Sequence, residues 1–596
     1  MNGYFCLATE AHDDDGLPHT LEHLIFLGSK KFPYKGVLDL LANRCLSSGT
    51  NAWTDTDHTC YTMTTAGSEG FLNLLPIYLD HVLAPTLTDP GYLTEVHHVT
   101  GEGKDGGVVY CEMQGRENSG ESLVHLAMVR AMYPGRCGYK SETGGIMANL
   151  RDSTNNVKVR AYHKQFYRPE NLGIIITGQV KAEEVFKALE AVEEELARQG
   201  EREPFLRPWE GEVPRLELSQ ELEVSYPADE EDNGMVYVAW RGPSAVTSMY
   251  QMFATMILME YLTETSVSPL QARFVEVENP LASRVGYSFI ENAESTVYLS
   301  FDNVPLAKIP EVAPELKKTL EGLVGGSPAW DQERLKTVIN RRVLEQRSQM
   351  ENSPHDAVAF MVIGDLLYGH SVEDLDVRLN SADQFRKMVE EPDTFWLKLI
   401  EDMMLKAPCV VVKGLPSKKL QEQMREQEED RIKRQKEELG EQGLAKKQED
   451  LDASMASNEV EAPDSLLTSV PIPSSDSILF HPVTSVSTAS EKQMENFDLK
   501  KMPVFFQFDQ ISSNFVYIFT VLDTQPVPAA LKPYLPLLLE LLLESPLSID
   551  GVETPYETVV AQLSEDCLAS SFSLGISGGR FLPGAFAQGA VLGLQV

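Results

Sequence analysis

Apolar and polar positions along the first 220 residues fall into short blocks that predict a regular series of elements. "GYFCLAT" at 3–9 is a short apolar run of strand length. Pro18 follows at the position helices favour in their first turn, and opens "PHTLEHLIFL" as a helix. Residues 36–46 predict a second helix, and "TNAWT" and "HTCYTMTT" alternate like two paired strands. A helix is expected from about Ser68 to Val82. Beyond the glycines at 101, 103, 106 and 107, "VVYCEMQGREN" is helical, and a longer helix starts near Ser119. "NLGIIITGQV" is a buried strand and "KAEEVFKALEAVEEELARQ" a strongly amphipathic helix.

The same order returns roughly 230 residues later. "GMVYVAWRG" is a strand, "VTSMYQMFATMILMEYLTE" and "SPLQARFVE" are helices, "SRVGYSFIE" and "STVYLSF" are strands, and "IPEVAPELKKTLEGLV" is a helix. The pattern therefore predicts a duplicated α+β domain, with copy one at 1–220 and copy two at 221–414. The second copy has "MFATMILMEYL" where the first has "HTLEHLIFL", so a metal site would belong to one copy alone. A connecting region spans 415–495. From Ser417 to Asp450 it holds nine basic and ten acidic residues, which predicts a solvated helical hairpin broken near Gly440 and Gly443. The Ser/Pro-rich "PDSLLTSVPIPSSDS" follows as a linker. Residues 496–596 begin a third α+β segment that stops on the apolar "AVLGLQV". "GGR" at 578–580 in it reads as a loop and not a phosphate cradle.

Composition narrows the partners. The chain has 596 residues, 42% hydrophobic and 23% charged, and a net charge of -38. Such an acidic surface repels phosphate backbones, so nucleic acid is not an expected partner and basic peptides suit it better. Seven scattered cysteines without a CxxC pair point to a reducing compartment. The N-terminus has neither a basic-then-apolar signal nor an arginine-rich transit sequence. The most apolar late run, "YLPLLLELLLESPLSI", carries Glu540 and Glu544 and is too short to span a bilayer. A cytoplasmic protein without membrane contact is expected, or a mitochondrial one if a longer N-terminus exists.

The chemistry concentrates in "HTLEH", residues 19–23. Residues four apart share a helix face, so His19 and His23 can hold one ion through two imidazole nitrogens. Glu22 lies on that face but too near His23 to be an easy third ligand, and its carboxylate would reach a metal-bound water instead. Catalytic zinc takes three protein ligands and leaves a position for water, whose pKa it lowers to about 7. A neighbouring carboxylate can then accept the proton and deliver it to a leaving amine. This H-x-x-E-H order is the reverse of the commoner H-E-x-x-H. The best third ligand is Glu112, an acid on a helix otherwise apolar at Val108, Val109 and Met113, since an unpaired buried carboxylate is costly. Glu117 and Asp105 are rivals.

"ATEAHDDDGLPHTLEHLIFLGS", "SSGTNAWTDTDHTCY" and "GGVVYCEMQG", in that order, resemble the pitrilysin/insulysin family of inverzincin metallopeptidases, and its presequence-protease-like branch in particular. "AYHKQFYRPENLGIIITGQV" extends the likeness, which covers most of residues 1–590. The resemblance implies α+β repeats, two-layer α/β domains of the pitrilysin-type metallopeptidase fold with a helical linker. It implies a Zn2+ cofactor, ligands His19, His23 and Glu112, and Glu22 as general base. Cys111 stands where the branch has asparagine, with no loss of metal expected. It further implies that the strand "SGTNAWT" binds extended substrate by backbone pairing, with Gly49, Asn51 and Ala52 as contacts. The expected function is a zinc-dependent metalloendopeptidase hydrolysing unfolded peptides. The alternative is a non-catalytic peptide-binding or assembly member of the same superfamily. Family members have four homologous domains in two halves, and the second half supplies an arginine and a tyrosine that bind substrate. Those two cannot be placed here, so the chain reads as a truncated, weakly active form whose missing C-terminal half is a possible partner.

Overall fold

The structure, a computed structural model, describes residues 1–198, 200, 204–209, 211–490, 498–574 and 589–595. The expected "GGR" loop at 578–580 lies outside the described residues. In chain order the first copy runs β1 (Asn2–Ala8), α1 (Leu17–Ile25), α2 (Val37–Arg44), β2 (Ser47–Thr54), β3 (His58–Thr65), α3 (Ser68–Leu83), α4 (Asp89–Glu95), β4 (His98–Val99), β5 (Asp105–Gly106), α5 (Val108–Arg116), α6 (Gly120–Met132) and β6 (Leu172–Thr177), with further helices between the last two. All seven residues of β1 are buried, and the register shows why. Phe5 and Leu7 face one core with Tyr61, Met63, Leu21, Leu24 and Leu74. Tyr4 and Cys6 face the opposite core with Cys60, Ile175, Ala359 and Ile363. A strand covered on both faces needs no polar alternation, which is how a continuous apolar run becomes a strand.

The first sheet has the order β2-β3-β1-β6 and is antiparallel throughout. The second copy contributes β7 (Gln220–Pro227), β8 (Asn233–Arg241), helices Met249–Thr263 and Pro269–Phe274, β9 (Arg284–Ile290), β10 (Thr296–Pro305), helix Ile309–Val324 and β11 (Cys409–Ser417). Its sheet runs β9-β10-β8-β11-β7. The hairpin lies at one edge, the leading strand is inside, and the closing strand comes next, as in the first sheet. Each copy is a sheet backed by helices, and the fold is a repeat of two-layer α/β domains. Two features were not read from the sequence pattern. β7 adds a fifth strand, parallel to β11, and several helices between 332 and 406 precede β11.

Residues 1–343 and 355–474 form one compact unit. It includes the charged helical stretch Lys418–Asn458, interrupted at Gly440 by a non-helical backbone with φ 60° and ψ 178°. Residues 344–354 and 475–596 form a second unit. There, Tyr517–Asp523, Gly589–Gln595 and Ala569–Leu574 make a three-stranded antiparallel sheet in that order. Phe505, Phe519, Leu537 and Leu538 are exposed in that unit.

Candidate metal centre

α1 turns its apolar residues inward: Leu21, Leu24 and Ile25 are fully buried in the core that includes Phe5, Leu7, Tyr61 and Met63 of the first sheet. With that stripe fixed, His19, Glu22 and His23 share the remaining face. The helix starts at Gly16, whose φ of +67° places its backbone where a Cβ would sit 2.6 Å from the Gly144 carbonyl oxygen. That glycine serves a left-handed turn and a close backbone approach at once. In the second copy the matching helix, Met249–Thr263, is buried on nearly all sides by residues such as Met252, Phe253, Ile257, Leu258 and Leu262, and it carries no histidine.

α5 brings Glu112 to the histidines. His19 Nε2 and His23 Nε2 are 3.3 Å apart, and Glu112 Oε2 is 3.7 Å from the first and 3.6 Å from the second. Zinc bonds of roughly 2.0–2.2 Å at tetrahedral angles put ligand atoms about 3.3–3.6 Å apart, so this triangle has the size of one tetrahedral face. Among the described residues it is the one group of three or more His, Cys, Asp or Glu side chains close enough to share an ion. Two nitrogens and a carboxylate oxygen form a donor set that suits zinc.

The surroundings keep the His19 imidazole in ligating form and act on His23 in the opposite sense. Burial, then the neighbouring His23, push the His19 imidazole down to about 4, so it is neutral near pH 7. Burial also presses on His23. The hydrogen bond to Glu95 and the charges of Glu95, Glu22 and Glu112 outweigh it and raise its affinity for a proton. His23 Nδ1 lies 3.1 Å from Glu95 Oε1, and a proton held on Nδ1 leaves Nε2 free for the ion. Burial lifts the Glu22 carboxyl above its ordinary range, opposed by a hydrogen bond from Thr54 Oγ1 to Glu22 Oε2 at 2.5 Å.

The rivals for third ligand are engaged elsewhere. Glu117 Oε2 accepts the Met147 N–H at 2.5 Å, and Asp105 binds His97 and Arg431. His58, in the β2–β3 hairpin, turns away from the site. Its Nδ1 meets Asp57 Oδ1 at 2.6 Å, and its Nε2 accepts from Trp53 Nε1 at 2.9 Å. Burial lowers the His58 imidazole, but Asp57 raises it to about 9; a proton on Nε2 would break the Trp53 bond, so the geometry fits the neutral tautomer with its proton on Nδ1.

β2 is the outer strand of its sheet, and Thr54 at its end touches Glu22. Gly49, Asn51 and Ala52 lie along this edge. A register shift between Ser47 and Thr50 and a φ of +118° at Gly49 mark a bulge there. Trp53 points to the core side, packing on Tyr4 and Phe360. Thr54 and Glu95 were not singled out from the sequence. Both act across chain separations of 32 and 72 residues, and neither lies in a motif with His19–His23.

Residues 8–105 match the family model described as insulinase, peptidase family M16, and residues 155–339 match the one described as the peptidase M16 inactive domain. The chain is 38% identical over 588 residues to an uncharacterized protein of Caenorhabditis elegans, a match covering 97% of this chain and 58% of that protein. It is 26% identical over 319 residues to the mitochondrial presequence protease of Candida albicans, covering 50% of this chain and 30% of that one. In fold it resembles the crystal structure of a protease from Helicobacter pylori, with a TM-score of 0.57 at 20% identity, covering 70% of this chain and 94% of that one. The chain thus spans just over half the length of the Caenorhabditis elegans relative.

Proposed function

The chain belongs to the pitrilysin-type M16 peptidase family, and we propose that it is a zinc-dependent metalloendopeptidase that hydrolyses unfolded peptides. The observation that carries this reading is the triangle of His19, His23 and Glu112 atoms, with sides of 3.3, 3.7 and 3.6 Å, on a helix face shared with Glu22. His19 and His23 would hold the ion through Nε2 and Glu112 through a carboxylate oxygen. Zinc bound there supplies Lewis acidity to the scissile carbonyl and to the attacking water. Glu22 takes the proton of that water and passes it to the leaving amine, a role for which its burial and its hydrogen bond from Thr54 prepare it. The outer edge of β2, at Gly49, Asn51 and Ala52, pairs with an extended peptide backbone and carries it past the triangle.

We place the protein in the cytosol, on the strength of its scattered cysteines. Among the described residues no helix is long and apolar enough to cross a membrane. Fractionation of the full-length protein tests this placement against the mitochondrial alternative.

Elemental analysis of the purified chain tests the metal reading. One zinc per chain is expected, lost in both His19→Ala and Glu112→Gln. Well-folded chain without zinc would move the assignment to a non-catalytic, peptide-binding or assembly member of the family.

A further inference from the structure

We propose that the charged hairpin of residues 418–458 is a strap that positions the metal centre, and that Arg431 is its principal positioning residue. The inference rests on the reading of His19, His23 and Glu112 as ligands.

The segment between Asp89 and Glu112 carries two of the determinants of that site. α4 ends in Glu95, whose Oε1 meets His23 Nδ1 at 3.1 Å. The chain then passes through β4 and β5, turns at Gly107, and enters α5 with Glu112. Displacing this segment would therefore alter the orientation of one histidine ligand and the location of the carboxylate ligand together.

Both arms of the hairpin grip the same segment. From the first arm, Arg431 Nη2 donates to Asp105 Oδ2 at 2.5 Å, and Gln435 Nε2 donates to the Gly103 carbonyl at 3.2 Å. From the second, Gln448 Oε1 accepts the Gly101 N–H at 2.9 Å, and Asn458 Nδ2 donates to Thr94 Oγ1 at 2.9 Å and to the Pro90 carbonyl at 3.2 Å. Asp105 is the hub. Its side chain is only 3% exposed, and its second oxygen meets His97 Nε2 at 2.7 Å. The His97 ring packs on Tyr110, two residues before Glu112, with centroids 5.1 Å apart.

Most ion pairs on a charged hairpin lie in solvent and stabilise little. The Arg431–Asp105 pair differs because the Asp105 side chain is buried, and removing Arg431 takes away its one arginine partner and leaves that charge to His97 and Gln435. That charge would sit at the turn feeding α5. Partners that orient metal ligands from outside typically change metal affinity by about 10–100-fold when removed.

The test is zinc affinity of the full chain, measured by competition with a chromophoric chelator, beside steady-state cleavage of an unstructured peptide. Arg431→Met should weaken zinc binding about tenfold or more and lower kcat with KM little changed. Arg431→Lys should restore most of the affinity, and Lys433→Met, an exposed change on the same arm, should leave it as in the wild type. Gln448→Ala removes a peripheral bond and serves if Arg431→Met does not fold, with a loss of about threefold expected. A zinc-binding wild type whose Arg431→Met or Gln448→Ala variant binds zinc equally well overturns the strap alone. A wild type that takes up no zinc overturns the metal reading and the strap with it.

Discussion

Glu22 and its neighbours show what local spacing reveals and what it hides. His19, Glu22 and His23 lie within five residues of one helix, so the 3.6-residue period puts them on one face before any tertiary structure is known. Glu112 was named as an acid that burial among Val108, Val109 and Met113 would force to find a partner, but its side chain is 52% exposed, so the preference over its rivals Asp105 and Glu117 rests on their geometry and not on burial. Thr54 and Glu95 were illegible: a hydroxyl on a strand and an acid ending a short helix are ordinary until the fold places them against Glu22 and His23. The base role proposed for Glu22 has a sharp consequence. Glu22→Gln keeps the shape and the Thr54 contact but cannot take a proton. It should retain one zinc per chain while turnover falls by at least about a hundredfold. Cleavage at the wild-type rate by the zinc-loaded variant would remove Glu22 from the mechanism.

The elements were predicted best where their pairing is local. β2, β3 and α3 follow one another and were readable from alternation and from helical period. β7 was not paired from the sequence, although Glu221 to Tyr226 alternates as a half-buried strand does, because its parallel partner β11 lies about 190 residues on. The β4–β5 hairpin is another element defined by distant contacts, and it is pH-sensitive. Burial opposes ionisation of Asp105, but hydrogen bonds from His97 and Arg431 outweigh it and hold the carboxyl at about 2, against an ordinary value of 3.8. A carboxyl depressed by folding stabilises the folded chain fully above the ordinary value, and the contribution is lost as pH falls from there through about 2. The full effect is about 2 kcal/mol. In urea unfolding, the stability gap between the wild type and Asp105→Asn should therefore narrow by about 1 kcal/mol between pH 7 and pH 3. A gap that stays constant with pH would mean that Asp105 gains nothing from its charge.

At the scale of the whole molecule, duplication was legible because both copies use the same order of elements, and the asymmetry between them was legible in the apolar Met249–Thr263. The exposed apolar surface of the second unit was not, since alternation cannot say which faces find a cover. Phe519 is 70% exposed and Phe505 71%, with Leu537 and Leu538 also on the surface. Exposed apolar side chains bind hydrophobic dyes and promote association. The chain is expected to enhance anilinonaphthalene sulfonate fluorescence under native conditions, and Phe519→Lys to reduce the enhancement; no enhancement in the wild type would mean that this surface is covered in solution. The contact between Arg431 and Asp105 spans 326 residues of chain. Ribosomes add roughly 5–20 residues per second, so about 15–65 s separate the synthesis of the two partners. Throughout that interval the nascent chain carries its histidines and its glutamate without the hairpin that fastens them, and the centre reaches its finished geometry only after translation has passed residue 458.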